Sequence, residues 1–426
     1  TQGRLAMNNR QMTLALIAAL MGAVPVAATH GQEHTELKHK RDIYRQYTPD
    51  NFDDGGPISH YAWKNFSAFF PHAVIARTGP ERKLERTLRA DVANFAVTVE
   101  GAETTLHAYV ANSPLIDGMI VLSAGKVVYE AYPRMEAHDR HLGWSITKVY
   151  ISTALAALEM QGKVDVDQPV ETYVPALAGT DWAGISVRNI VNMASGIACL
   201  DSDGYQNTRS CIYQFEETLG LTAPHNPPID TLDLIKSMKR HRTAGTTYEY
   251  VSPDTYVSGQ VIENVTGLPL TVALQRLIWD NVGAEADGLM MISPEGNAAA
   301  HAGLSARLRD VARFGQTFTA GGFDVIGKDH MDDLASDKGV KFSPEQRLGM
   351  KATWGDDLPS HAAWQWDMIW PDGMMFKGGY SGQGIFVAPK QDIVIAFFGT
   401  ADTQGNHHDL LTVSRQLSAS GLLDAN

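Results

Sequence analysis

The chain reads as an α/β protein of the α+β kind, an antiparallel sheet flanked by helices with a helical lobe inserted in the middle. Three observations predict this. A hairpin pattern lies near residue 120, two further apolar strands lie near the C-terminus, and helical patterns occupy much of the stretch between them. The hairpin runs through Gly118-Met119-Ile120-Val121-Leu122, turns at Ser123-Ala124-Gly125-Lys126, and resumes at Val127-Val128-Tyr129-Glu130-Ala131-Tyr132. The late strands are 386–389 and 393–398, joined by the polar turn Lys390-Gln391-Asp392, and a helix over 409–417 would close the fold. Between the two ends, residues 146–161 are rich in alanine and leucine and stop at Gly162, which predicts a helix. Turn signals and short helical pieces follow at 168–175 and 187–193, then helical patterns at 253–265, 269–282 and 306–319. Strands from both ends must therefore meet in one sheet, with the helical lobe placed at about 165–350.

At 426 residues, 44% hydrophobic and 19% charged, the composition is that of a folded body. The net charge of −13 argues against nucleic acid as a partner, because phosphates would be repelled. From Met7 the sequence gives a short basic start, an apolar run over 12–26, then Ala27-Ala28. That pattern predicts a secretory signal peptide over 1–28, an N-terminal extension over 29–110 and a main domain over 111–426. A periplasmic or secreted protein without a stable membrane span is expected, since the apolar run is short of the roughly 20 residues a span requires. Cys199 and Cys211, twelve apart in a polar segment, can form a disulfide in such a compartment, worth about 3 kcal/mol. Two unpaired thiols are the alternative.

Three motifs carry chemistry. Ser145-Ile146-Thr147-Lys148 opens a helix, so the lysine returns to the serine's face and can take its proton if burial lowers the amine pKa. Tyr250-Val251-Ser252 stands before a second helix, where the phenol can relay a proton and Ser252 can hold the lysine. Lys377-Gly378-Gly379-Tyr380-Ser381-Gly382 leads into a strand whose glycines let a substrate approach the backbone. Each is weak alone. Their order and setting give them weight.

Together they resemble the penicillin-recognising serine hydrolases, a family of class C β-lactamases, penicillin-binding carboxypeptidases, esterases and amidases marked by S-x-x-K, Y-x-[NS] and a [KH]-[TSG]-G strand. The resemblance covers about 117–417. It is strongest to the 6-aminohexanoate-dimer hydrolase branch, through Asp139-Arg140-His141-Leu142, Gln168-Pro169-Val170, Tyr173-Val174-Pro175, the Tyr250 to Thr255 run and Val265-Thr266-Gly267-Leu268. The resemblance implies a β-lactamase-like fold with Ser145 as the acylated nucleophile, Lys148 as general base and Tyr250 as proton donor to the leaving group. It places the oxyanion hole at the N–H groups of Ser145 and Tyr380, and substrate contacts at Ser252, Lys377, Gly378 and Gly379, with Lys377 facing a substrate carboxylate. No cofactor or metal is implied. The substrate would be a small amide, ester or short peptide.

Gly378 in place of threonine, and Ser252 in place of asparagine, argue against efficient penicillin hydrolysis. A true β-lactamase, a peptidase for D- or linear peptides (linearised cyclic peptides included) and a penicillin-binding sensor without turnover are the rivals. The loop-rich stretch 199–242 is expected to act as a lid or specificity insert. Trp364, Trp366 and Trp370 either help shape the pocket or simply pack. Glu216 opens an E-x-x-L run similar to the deacylating glutamate loop of class A β-lactamases, but Gly220 follows in place of asparagine, which favours a residue without that role. His225, His241 and His301 are further pocket candidates, and nothing in the sequence singles one out.

Overall fold

Two runs in which every residue is buried, β5 (Ile116–Ser123) and β14 (Ile393–Gly399), pair antiparallel at the centre of the molecule. Full burial of both faces explains why neither alternates apolar with polar residues. In this computed structural model, residues 38–319, 325–336 and 338–424 are described. The signal-peptide prediction lies outside them. Residues 38–46 form a helix in a first unit that ends at Thr48, and residues 49–426 form a second unit. No helix of the described residues is long and apolar enough to cross a membrane.

The second unit holds an eight-stranded sheet. From β14 it extends through β13 (Gln383–Ala388), β12 (Met375–Gly379) and β11 (Trp366–Ile369) to β10 (His361–Ala363). From β5 it extends through β6 (Lys126–Ala131) to β2 (Glu85–Arg86), the one parallel neighbour. Segments almost three hundred residues apart thus meet in register, with Val121 opposite Ile395. A smaller sheet has the order β1 (His72–Ile75), β8 (Gly288–Met291), β9 (Leu304–Arg307), β7 (Arg140–Leu142). Residues 96–105 form the separate hairpin of β3 (Ala96–Val99) and β4 (Ala102–Thr105).

The helices that matter here are α1 (Gly56–Lys64), α2 (Leu106–Asn112), α3 (Thr147–Met160), α4 (Cys211–Thr218), α5 (Ser252–Thr266), α6 (Leu308–Gln316) and α7 (Leu410–Ala419). Helix α7 covers one sheet face, burying Val413 and Leu417 in a cluster with Val121, Ile395 and Phe397; α2 adds Leu106 and Val110 to it. Helix α6 covers the other. A Cβ on Gly315 would collide with Val394, so glycine sets that close approach. Fully burying each of these aliphatic side chains contributes about 1.5–3 kcal/mol. Helix α3 is buried on nearly its whole circumference, from Thr147 to Leu158, which fits its all-round apolar sequence.

The structure departs from the sequence-based expectation in three places. The helix expected over 306–319 begins at Leu308, because 304–307 is spent on β9 pairing with β7 and β8. The one expected over 269–282 is interrupted by a π-helical turn at Gln275–Trp279. The stretch 165–350 also supplies two strands, β8 and β9, to the smaller sheet.

Candidate active site

Strand β7 delivers the nucleophile candidate. After Leu142 the N–H of Gly143 donates to Leu304 O at 2.8 Å, and Trp144 then takes φ of 50°. A bulky residue in the left-handed region costs roughly 1–3 kcal/mol and persists only when its surroundings enforce it. Here the rings of Phe52, Trp63 and Tyr380 each lie 5.5 Å from the indole. The turn they hold passes directly into α3 and leaves Ser145 half-buried at the cleft floor.

One helical turn on, Lys148 is fully buried, and its Nζ lies 2.9 Å from Ser145 Oγ. The amine also donates to the His301 carbonyl at 3.0 Å. Burial pulls its pKa down to about 7 and nearby Lys377 pushes the same way, while Asp201, Glu216 and Asp367 oppose. An amine that is substantially neutral at pH 7 can accept the serine proton.

Tyr250, just ahead of α5, closes the group. Its hydroxyl accepts from Lys377 Nζ at 2.8 Å and is also hydrogen-bonded to Ser145. The Nζ atoms of Lys148 and Lys377 lie 4.9 and 4.5 Å from its ring centre. Burial, with the charges of Asp367 and Asp201, pushes the phenol well above its ordinary range. A phenol held neutral in this way can pass on a proton only as it receives another. Asp367 on β11 accepts from Lys377 Nζ at 2.5 Å and from the Gly378 N–H at 2.9 Å, locking the end of β12. A Cβ on Gly379 would strike the Gly143 carbonyl, so only glycine lets β12 lie against the nucleophile's turn.

The cleft above Ser145 measures about 230 Å³. Gly378, Gly379 and Tyr380 form one wall. Asp201, Tyr205, Glu216, Leu221 and Thr222 from the 199–242 insert form the other, and Asp53, His301 and Ala302 complete it. Among the described residues no lysine or arginine lines it, whereas Asp53, Asp201 and Glu216 all do. Burial raises Asp53 to about 6. Glu216 Oε1 sits 2.7 Å from His301 Nε2.

Several sequence-predicted residues are placed differently from expectation. Ser252 does not hold a lysine, because its N–H and hydroxyl donate to Asp201 at 2.8 and 2.7 Å and it is buried away from the cleft. Lys377 is not turned toward a substrate carboxylate; it is fully buried and engaged by Tyr250 and Asp367. The tryptophans pack. Trp364 donates to Asp333, Trp366 meets Phe318 edge to face, and Trp370 lies under Arg415. Glu216 lies on α4 and lines the cleft. Of the three histidines only His301 does so; His241 pairs with Glu249 and His225 is exposed. Cys199 and Cys211 form a disulfide. Asp53, Asp201, Tyr205 and Asp367 escaped the sequence reading. The nearest signals for two of them were an acid two residues after Cys199 and an acid inside the Trp366–Ile369 strand.

Fold and residues together define a serine hydrolase of the amidase or carboxylesterase type. The chain belongs to the beta-lactamase family, whose profile matches residues 116–417. Among characterised relatives it is 27% identical over 372 residues to the 6-aminohexanoate-dimer hydrolase of Paenarthrobacter ureafaciens, spanning 85% of this chain and 92% of that one. The fold is similar to that of a candidate 6-aminohexanoate-dimer hydrolase from Bacillus anthracis, with a TM-score of 0.74 at 19% identity over 88% of this chain and 96% of the other. It is also similar to a D-stereospecific amidohydrolase from Streptomyces, with a TM-score of 0.52 at 18% identity over 74% and 96%.

Proposed function

We propose that the protein is an exported amidase or esterase that works through an acyl-enzyme on Ser145. The observation that carries this is the 2.9 Å contact between Ser145 Oγ and a buried lysine whose pKa lies near neutrality. In acylation, neutral Lys148 takes the serine proton as Oγ bonds to the substrate carbonyl carbon. The developing oxyanion is held by the N–H groups of Ser145 and Tyr380, donors fixed by the start of α3 and the end of β12. Tyr250 gives its proton to the departing amine or alkoxide and regains one through the lysine pair. Water, activated by the same relay, then attacks the ester and releases the acid. The Cys199–Cys211 disulfide supports the export part of the reading, because such bonds persist in oxidising compartments.

The substrate reading follows the charge of the cleft. Three carboxylates and, among the described lining residues, no lysine or arginine favour a short linear amide bearing an ammonium group, such as the 6-aminohexanoate dimer that names the Paenarthrobacter relative. The dimer also carries a carboxylate, as β-lactams do, and Lys377 is engaged by Asp367, so it is the ammonium end that the charge of the cleft would select. A β-lactam without an ammonium group gains nothing from that charge.

The test is turnover of the linear 6-aminohexanoate dimer, a nitrophenyl butyrate and a cephalosporin by the protein and by Ser145→Ala, with intact-mass detection of adducts. The expected result is dimer or ester turnover with an acyl adduct, and loss of both in the variant. Turnover that survives in Ser145→Ala would overturn the assignment. A stable adduct without turnover would make the protein a sensor.

A further inference from the structure

The Tyr250–Ser252 segment is gripped from one side by a loop outside the three motifs. The N–H of Asp201 donates to the Tyr250 carbonyl at 3.0 Å. The Asp201 carboxylate accepts from the Ser252 N–H at 2.8 Å through Oδ1 and from the Ser252 hydroxyl at 2.7 Å through Oδ2. The Tyr205 hydroxyl donates to that same Oδ2. One residue thus fixes the backbone on both sides of Val251, which leaves Tyr250 little freedom to swing away from Ser145. Asp201 itself stands two residues beyond Cys199, whose disulfide partner Cys211 is the first residue of α4. The bond therefore ties the gripping loop to the helix that carries Glu216, the partner of His301, whose carbonyl in turn accepts from Lys148.

We infer that Asp201 is the positioning residue of Tyr250, and that the Cys199–Cys211 disulfide holds Asp201 in that post. The inference rests on the acyl-enzyme reading above, which makes Tyr250 the proton carrier. It gives the disulfide a role in turnover as well as in stability. Asp201 is half-buried and receives three donors, two of them from Ser252, so the loop and the motif hold one another in a single arrangement. Asp201 also acts through charge. Lys148 faces Asp201 from the loop, Glu216 from α4, Lys377 and Asp367 from the sheet and Tyr250 from ahead of α5; among the acids, Asp201 does most to keep the amine protonated.

The experiment compares Asp201→Ala, Asp201→Asn, Ser145→Ala and the Cys199→Ser/Cys211→Ser double variant. Rates are expressed per acylatable site, titrated by intact mass with nitrophenyl butyrate, so that misfolded molecules do not count. Asp201→Ala is expected to lower kcat about 10- to 100-fold with little change in KM, the loss due to a misplaced proton carrier. Asp201→Asn keeps the shape and recovers most of that rate. In both, removal of the negative charge lowers the Lys148 pKa, so the acid limb of kcat/KM moves to lower pH. A merely structural role would reduce the titratable fraction and leave the limb in place. The double cysteine variant is expected to lose part of the Asp201→Ala factor. If kcat per site and the acid limb of Asp201→Ala match the parent while Ser145→Ala is inactive, the positioning role is overturned and the acyl-enzyme stands. If Ser145→Ala remains active, the acyl-enzyme reading fails and the inference with it. A double cysteine variant with the parent kcat overturns the role of the disulfide alone.

Discussion

The two walls of the cleft are built in different ways. The sheet-side wall consists of Ser145 and 378–380, backed by the buried Lys148 and Lys377; these residues sit on or directly beside the regular elements β7, α3 and β12 and are locked by short hydrogen bonds and by the close approach at Gly379 that admits no Cβ. The opposite wall consists of Asp201, Tyr205 and Glu216 from the disulfide-closed insert, with Asp53 from a segment far upstream. On the proposed mechanism, the first wall and the lysines behind it carry the groups that move protons. The other carries most of the charge that a substrate meets. The contrast teaches that chemistry here belongs to the rigid junction of sheet and helix, and selectivity to loops whose anchoring is covalent or long-range. Changes to the first wall should therefore abolish turnover of every substrate and changes at Glu216 and Asp53 should discriminate among substrates, whereas Asp201, which also grips the Tyr250 segment, belongs to both.

The largest effect is expected at Lys148. Lys148→Ala removes the proton acceptor of Ser145 and should lower kcat/KM about 10³-fold for ammonium-bearing amides and uncharged esters alike. On the proposed mechanism the same group should set the acid limb in the parent. The amine must be neutral to accept a proton, so activity falls as pH drops through about 7 and Lys148 becomes charged. A rate profile measured from pH 5 to 9 checks both statements. A Lys148→Ala variant that lost activity on only one substrate class would break the division between the walls.

A smaller and selective effect is expected at Glu216. Glu216→Gln keeps a hydrogen-bonding group toward His301 but removes a charge from the cleft. Its kcat/KM on the linear 6-aminohexanoate dimer should fall about tenfold, equivalent to about 1.4 kcal/mol, while that on nitrophenyl butyrate stays within about twofold. Parallel steady-state measurements on the two substrates decide it. Equal losses would move Glu216 to the proton-handling side of the comparison.

The same division marks what was legible in the sequence. The hairpin near 120, helix α3 and the strands β13 and β14 follow from local apolar patterning, and their positions agree closely with the 118–132, 146–161 and 386–398 expectations. The three motifs were legible because each is short and joins a recognisable element, so Ser145, Lys148, Tyr250 and 378–380 appear together at one cleft. The four-stranded sheet was not legible. Its strands are three or four residues long, come from 72 to 307, and reveal themselves only by pairing. Nor was the acidic wall. Asp53, Asp201 and Glu216 have no fixed spacing from Ser145, and an acid in a loop or on a helix ordinarily means a solvated surface. Lys377 and Ser252 were placed at the site for the wrong purpose, because the partners that redirect them, Asp367 and Asp201, lie 10 and 51 residues away. At those two positions the family pattern identified the residue, and only the fold could supply its partner.

The smallest effect is expected at Asp53, and it is best read without catalysis. Hexylamine, whose amine titrates above pH 10 and so stays charged, serves as an inert probe of the acidic wall through inhibition of butyrate hydrolysis. Burial holds Asp53 at about 6, so it is largely neutral at pH 5 and largely ionised at pH 7. Attraction for the ammonium group should therefore strengthen as pH rises through this window. Lys148 loses its positive charge near pH 7 and contributes in the same direction, so the parent profile alone cannot apportion the change. Asp53→Asn separates the two. It retains the Lys148 contribution and lacks the carboxylate, so hexylamine inhibition should be about 2- to 3-fold weaker than in the parent at pH 7 and equal to it at pH 5, in keeping with a partly solvated charge pair. Parent and variant profiles that run parallel across this range would remove Asp53 from the selective wall and leave Asp201 and Glu216 to account for it.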